Sequence, residues 1–162
     1  MIEYSTHPPK NMFPHSDYYK KEKKTMMYDP MMVKPMRDEV TAIGMKELRS
    51  PEEVDAELGE SGTAFYFINS VCGCAAGSAR PALKLALGNA KKPAKLLTSF
   101  AGNDGAAVAK ARSYFAGFPA SSPQMAILKD GKVVWMLERW QIEGRMPDAI
   151  AKDIVAAFDA LV

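Results

Sequence analysis

The first apolar pattern along the chain is helical: Met32, Val33, Met36, Val40 and Ile43 fall on one face. Pro35 interrupts it. A proline ring clashes with the carbonyl four residues back, so this helix is expected to start near Val33 or to kink there, and Gly44 is its expected stop. Ser50-Pro51-Glu52-Glu53 reads as a capping box with proline at the first helical position. It predicts a short helix from Pro51 to about Leu58, broken by Gly59 and Gly62. The pattern then changes. Residues 63–69 form a continuous apolar run, as a strand covered on both faces requires. Lys95 to Phe100, Gln124 to Leu128 and Lys132 to Leu137 are three further predicted strands. Asp130-Gly131 between the last two is a two-residue hairpin signal. Helices are predicted over 75–88, over Asp104 to Phe115 (Val108, Ala111, Arg112 and Phe115 at helical spacing), and over Pro147 to Leu161. The last has Ile150, Ile154, Val155, Phe158 and Leu161 on one stripe.

The resulting order is β-α-β-α-β-β-α. A β-α-β unit implies parallel strands with a right-handed crossover, and the hairpin adds antiparallel ones. The expected class is α/β: a central mixed sheet with helices on both faces, plus an N-terminal helical segment. Residues 1–28 hold His, Pro, Tyr and Lys without an apolar period and are expected to be a flexible tail, with 29–162 as one domain. Met26 or Met27 is the expected cellular start, which would make residues 1–25 a gene-model extension.

The 162 residues carry a net charge of +2, too little to argue for nucleic acid or an anionic membrane as partner. Lys20 to Lys24 reads as a solvated basic run. No stretch is apolar enough to cross a bilayer, and Met1 to Lys24 lacks the apolar core of a secretory signal. A cytoplasmic location is therefore expected. In that compartment two close cysteines point to catalysis, redox sensing or metal binding rather than to a structural staple.

The chain has two cysteines, Cys72 and Cys74, set as Cys72-Gly73-Cys74 directly after the first long strand. Ala75-Ala76-Gly77-Ser78-Ala79 follows and can open a helix. A thiol where strand meets helix N-terminus is near backbone N–H groups that favour negative charge, and thiolate is the form that attacks disulfides. Gly73 lowers the backbone cost of closing so small a ring. The ring is expected to be strained and readily reduced. Other readings stay open. The pair can be buried and inert. Two chains of a homodimer would supply four thiols to zinc or an iron–sulfur cluster, although one chain shows no metal set of its own, His7 and His15 lying in the tail. Met31, Met32 and Trp140, if exposed, would suit a partner-binding module, whereas Trp135 is expected to pack. Asn103 is the expected N-cap of the helix near Asp104. Glu138, Glu143, Asp148 and Asp153 read as surface or turn charges. Pro81 should kink the helix after the cysteines.

Several motifs in fixed order resemble one family. Asn69-Ser70-Val71-Cys72-Gly73-Cys74-Ala75-Ala76-Gly77 followed by Ala79-Arg80-Pro81-Ala82 is similar to the bacilliredoxin signature. So are Pro35-Met36-Arg37-Asp38-Glu39-Val40-Thr41, Phe100-Ala101-Gly102-Asn103-Asp104, Ser121-Ser122-Pro123 and Ile142-Glu143-Gly144-Arg145. The resemblance runs from about Met27 to the C-terminus. It implies a thioredoxin-like fold with Pro123 cis and facing the cysteines. It also implies a thiol–disulfide oxidoreductase that removes bacillithiol, or a similar low-molecular-weight thiol, from mixed disulfides on S-thiolated client proteins. Cys72 would attack and Cys74 resolve; disulfide isomerase or reductase activity is the alternative. No bound cofactor is implied. The thiol is a co-substrate, and a regenerating thiol or reductase is the second partner. Gly73, Ser122, Pro123 and Arg80 are the supporting residues, with Arg80 read either as a ligand for a carboxylate of the thiol or as a packing or solvent-exposed side chain. Ser121 and Ser122 can contact a substrate disulfide or simply shape the turn. The chain departs from many members in having Trp140 where they have histidine, and it ends Ala160-Leu161-Val162 without a third cysteine.

Overall fold

The computed structural model describes residues 28–162. Of the proposed tail 1–28, all but its last residue, Tyr28, lies outside them, including the Lys20–Lys24 run, both histidines and the Met26–Met27 start. The described chain runs α1 (Pro30–Thr41), β1 (Lys46–Glu47), α2 (Pro51–Leu58), β2 (Thr63–Asn69), a π-helical turn (Ala75–Ala79), α3 (Arg80–Ala86), β3 (Lys95–Phe100), α4 (Gly105–Tyr114), β4 (Gln124–Lys129), β5 (Lys132–Leu137), α5 (Arg139–Ile142) and α6 (Pro147–Leu161).

One five-stranded sheet, ordered β1-β3-β2-β4-β5, organises the molecule. β2 lies at its centre, parallel to β3 (Phe65 opposite Leu96) and antiparallel to β4 (Phe67 opposite Met125). This is the thioredoxin-like α/β arrangement. β2 is apolar from Ala64 to Ile68 because both of its faces are covered. Phe65 and Phe67 enter a core with Met125, Ile127, Leu83, Ile154 and Phe158 under α3 and α6. Tyr66 and Ile68 enter a second core with Leu48, Val54, Leu97, Val108 and Phe115 under α2 and α4. Edge-to-face pairs, Phe65 on Phe158 at 5.5 Å and Tyr66 on Phe115 at 5.9 Å between ring centroids, tie each face of the strand to a helix.

The hairpin turn takes the form its residues require, with positive φ at Asp130 (51°) and Gly131 (75°). The capping box at Ser50 forms: Glu53 N–H donates to Ser50 Oγ at 3.2 Å and Ser50 N–H to Glu53 Oε2 at 3.3 Å.

Six local expectations are corrected. α1 begins at Pro30 rather than near Val33, capped by the Asp29 carboxylate on Met31 N–H, and Pro35 sits inside it. Its buried face is Val33, Arg37 and Val40, while Met32 is exposed, so a guanidinium occupies the position that periodicity assigns to a methionine. The two-residue β1 was not anticipated, being too short to show alternation. The predicted helix 75–88 is two segments. Pro81 has no N–H for an ordinary helical bond, and just before it Arg80 N–H reaches back five residues to Ala75 O, widening the helix into a π turn. Asp104, not Asn103, stands at the N-cap position of α4, with its carboxylate turned to Phe100 N–H and Arg37 rather than to the helix. The short helix α5 was also missed; Glu138 and Gln141 form a capping box across its start, the Gln141 carboxamide accepting from Glu138 N–H at 2.9 Å. No helix among the described residues is long and apolar enough to cross a membrane.

Candidate thiol–disulfide site

β2 delivers the chain to the end of the sheet at Asn69, and the next three residues carry it to Cys72. That turn is held by its own polar side chains. Asn69 donates through Nδ2 to Met36 O at 3.1 Å, and its Oδ1 accepts from Ser70 N–H at 2.9 Å. Arg80 reaches back from the start of α3. Its Nη1 donates to Ser70 O at 2.9 Å and Asn69 Oδ1 at 3.2 Å, and its Nε to Glu39 Oε2 at 2.7 Å. Arg80 is only 3% exposed. The solvent-exposed reading of this residue is therefore wrong, and its guanidinium is already committed to protein acceptors rather than open to a ligand. A buried charge persists only when paired and hydrogen-bonded in this way.

Cys72 and Cys74 are both free thiols and partly exposed. Cys74 stands immediately before the π turn, within the first helical turn. Ser70 Oγ donates to Cys72 Sγ at 3.2 Å and accepts from Cys72 N–H at 3.4 Å. Burial pushes the Cys72 thiol up, but hydrogen bonds from the Cys74 thiol, the Ser70 hydroxyl and the N–H groups of Ala75 and Cys74 outweigh it and bring Cys72 below the ordinary thiol value. Cys74 moves the other way. Burial, the hydrogen bond to Cys72 and the charge on Cys72 raise it, against a smaller lowering by Arg139. Two thiols one residue apart are thus divided into an acidic and a reluctant member.

The Ser122–Pro123 peptide is cis. Arg112 of α4 donates through Nη2 to Ser121 O at 2.9 Å, and Arg139 N–H donates to Ser121 Oγ at 3.4 Å, so helices on either side fix this loop. A cleft of about 240 Å³ opens beside Cys72, lined by Tyr28, Ser70, Val71, Ala101, Gly102, Ser122 and Arg139. Asn103 side-chain bonds to both Tyr28 N–H (3.1 Å) and Tyr28 O (3.0 Å) place that ring against Gly102. A Cβ at Gly102, whose φ is 94°, would come within 2.8 Å of the ring.

The remaining motifs act at a distance from sulfur. Arg37 makes a two-pronged pair with Asp104 (2.8 and 2.9 Å), a third bond to Glu47 at 3.1 Å, and lies 5.2 Å over the Phe100 ring. Asp104 also accepts from Phe100 N–H at 2.8 Å. The Pro35–Thr41 and Phe100–Asp104 segments therefore meet, and their junction holds the Ala101–Gly102 wall of the cleft. Ser78 Oγ donates to Arg145 O at 2.8 Å, tying the π turn to the Ile142–Arg145 segment. Gly73 is exposed with open space around it. Trp140 is 72% exposed, its Nε1 donating to Glu138 Oε2 at 2.6 Å. Sequence reasoning gave no site role to Tyr28 or Arg139, and met Arg112 only as a position of helical spacing and Glu39 only inside the Pro35–Thr41 motif.

A family model described as disulphide isomerase matches residues 28–162, all of the described chain. The chain is 50% identical over 138 residues to a bacilliredoxin of Salinibacter ruber, covering 83% of this chain and 81% of that protein. The chain belongs to the bacilliredoxin family. A bacilliredoxin of Koribacter versatilis is 47% identical over 134 residues, 82% of this chain and 92% of that one. Another, from Geobacillus kaustophilus, is 50% identical over the same length and shares. The oxidised thioredoxin of Plasmodium falciparum is a remote structural likeness, at TM-score 0.47 and 15% identity over 71% of this chain and 99% of that one. As a bacilliredoxin-family protein with a thioredoxin-like fold, the chain is a thiol–disulfide oxidoreductase. Among the described residues no group of three or more His, Cys, Asp or Glu is placed to hold a metal ion.

Proposed function

We propose that this protein removes bacillithiol, or a closely similar small thiol, from mixed disulfides on client proteins, with Cys72 attacking and Cys74 resolving. The observation that carries the reading is the geometry at Cys72, a partly exposed free thiol that accepts from Ser70 Oγ at 3.2 Å and opens on a cleft of small-thiol size, with Cys74 two positions on, in a chain of the bacilliredoxin family. Cys72 thiolate attacks the small-thiol sulfur of the client's mixed disulfide. A Cys72–thiol disulfide forms and the client departs as thiolate, so no net oxidation occurs in this step. Cys74, once deprotonated, then attacks Cys72 sulfur, closing the Cys72–Cys74 disulfide and releasing the small thiol. A two-electron reductant, a pair of thiols or a dithiol reductase, restores the starting state. The high acidity threshold of Cys74 suits the order: it stays a thiol that donates to Cys72 until the first transfer has removed the Cys72 negative charge.

The test is the intact mass of Cys74→Ala protein after incubation with a bacillithiolated client. A gain of one bacillithiol, abolished by Cys72→Ala, is the expected result. A client left modified and a Cys74→Ala protein left unmodified would overturn the reading and turn attention to disulfide isomerisation.

A further inference from the structure

The cleft beside Cys72 has one charged lining residue among those described, Arg139. Its backbone is fixed by the bond to Ser121 Oγ and by the capping box at the start of α5. Its guanidinium is not. The one carboxylate in ion-pair range among the described residues is Glu143, 3.8 Å from Nε and 61% exposed, beyond hydrogen-bond distance and worth little in water. Glu138 is turned to its own helix cap and to Trp140. The other arginines of this end of the molecule are spent. Arg80 and Arg37 are buried against named acceptors, and Arg112 is bonded to Ser121 O. Arg139 alone combines a position on the cleft wall with two uncommitted Nη groups.

We infer that Arg139 is a carboxylate subsite, and that the cleft thereby selects adducts of small anionic thiols over adducts of uncharged ones. The inference deepens the function proposed above and rests on it for the substrate class. At about 240 Å³ the cleft is smaller than the roughly 300–1,000 Å³ of sites for drug-sized ligands. It suits one arm of a small thiol, its sulfur toward Cys72 and a carboxylate toward Arg139. Among the described residues no carboxylate lines it to repel an anion. The planar fork of a guanidinium matches a carboxylate in a two-bond geometry that an ammonium does not reproduce. The lowering of Cys74 by the Arg139 charge is consistent with that charge standing near the cysteine pair.

The experiment uses the full chain carrying Cys74→Ala, so that only the first transfer is read. One client protein is prepared as its bacillithiol, glutathione and 2-mercaptoethanol mixed disulfides; the first two adducts carry carboxylates and the third does not. The readout is the ratio of transfer rates to Cys72, anionic adduct over uncharged adduct, which cancels general effects on folding or on Cys72 reactivity. Arg139→Met should lower the ratio about tenfold, the scale of one hydrogen-bonded charge pair. Arg139→Lys should lower it less, and added salt should compress the ratio in the parent but not in Arg139→Met. An unchanged ratio, even with both rates reduced, overturns the subsite and leaves Arg139 acting only on the cysteines. If the parent takes bacillithiol with no dependence on Arg139, the subsite fails while the proposed function stands. If it refuses bacillithiol but takes glutathione in an Arg139-dependent ratio, the thiol assignment fails while the subsite stands. Refusal of both anionic adducts overturns both.

Discussion

Replacing Arg80 by methionine keeps the aliphatic stem and removes the fork that closes the Cys72 loop. Three bonds disappear, and they are not equal. Glu39 is half exposed, with 51% of its side chain accessible, so water takes over its solvation and the ion pair contributes about 0–1 kcal/mol. Ser70 O and Asn69 Oδ1 lie in the buried end of the loop, where an acceptor that loses its charged donor costs about 1–3 kcal/mol. The sum is about 2–7 kcal/mol, most of it from the two neutral acceptors. Against a typical total of about 5–15 kcal/mol this is a large fraction. Urea unfolding of the reduced protein should show the midpoint moving down with the slope unchanged. The cycle with Glu39→Gln should give a coupling under about 1 kcal/mol. A loss for Arg80→Met below about 1 kcal/mol, or a coupling to Glu39 that accounts for most of the loss, would refute the reasoning, because the neutral acceptors would then not be what Arg80 serves. Arg80→Lys should fall between, an ammonium being unable to span Glu39, Asn69 and Ser70 together.

The remaining predictions concern the same end of the molecule. Ser70→Ala removes a donor that stabilises Cys72 thiolate, so the pH–rate curve for alkylation of Cys72 should move to higher pH; a curve that stays in place or moves down contradicts the assigned bond. In the parent that curve should have its midpoint below that of an ordinary thiol, with Cys74 reacting only at higher pH, measured by mass-resolved labelling across a pH series. Gly102→Ala places a side chain at positive φ and against the Tyr28 ring. The backbone cost is about 1–2 kcal/mol, and because Tyr28 is partly exposed it should swing aside rather than add a core penalty; a thermal unfolding loss well above that range would show the ring to be fixed. Arg112→Met should cost about 1–2 kcal/mol for the bond to Ser121 O, read by urea unfolding, with no cost at all counting against this arginine as the anchor of the Ser121–Pro123 loop.

The centre of the sheet was legible because β2 and β4 are covered on both faces and the hairpin residues after β4 admit few geometries. β3 and β5, α2 and α6 lie where periodicity and caps put them, and β4 extends one residue further than expected. What was not legible depends on tertiary partners. Arg37 and Arg80 look like ordinary surface arginines in sequence. Arg37 is buried because Asp104, 67 residues away, meets it, and Arg80 because Ser70 O and Asn69 Oδ1 in the cysteine loop accept from it, and no local pattern announces such pairings. Met31 and Met32 illustrate the reverse. Met32 belongs to the predicted apolar stripe, yet the two methionines are 75% and 48% exposed, because the stripe buries Val33 and Val40 and turns toward Arg37, leaving the first helical turn at the surface. At the site, the two cysteines could be chosen from sequence alone. Arg139 and Tyr28 could not, since their relevance comes from a cleft whose walls are supplied by five separate stretches of chain.

The way those stretches are joined explains why motifs so far from the cysteines belong to the same pattern. A thiol at a helix start needs its N–H groups held in place, but here the helix that supplies them is locally widened into a π turn before Pro81. A π turn is a single widened turn within a helix, and this one is braced by rigidity supplied from outside it. It comes from three directions: Arg80 and Asn69 fasten the preceding loop to α1, Ser78 fastens the turn itself to Arg145, and Arg37 with Asp104 fastens the opposing wall to the same α1. α1 is thus the common anchor for both sides of the cleft. The Ser70–Cys72 geometry, and with it the difference in acidity between Cys72 and Cys74, depends on a helix that begins 42 residues earlier in the sequence and touches neither sulfur.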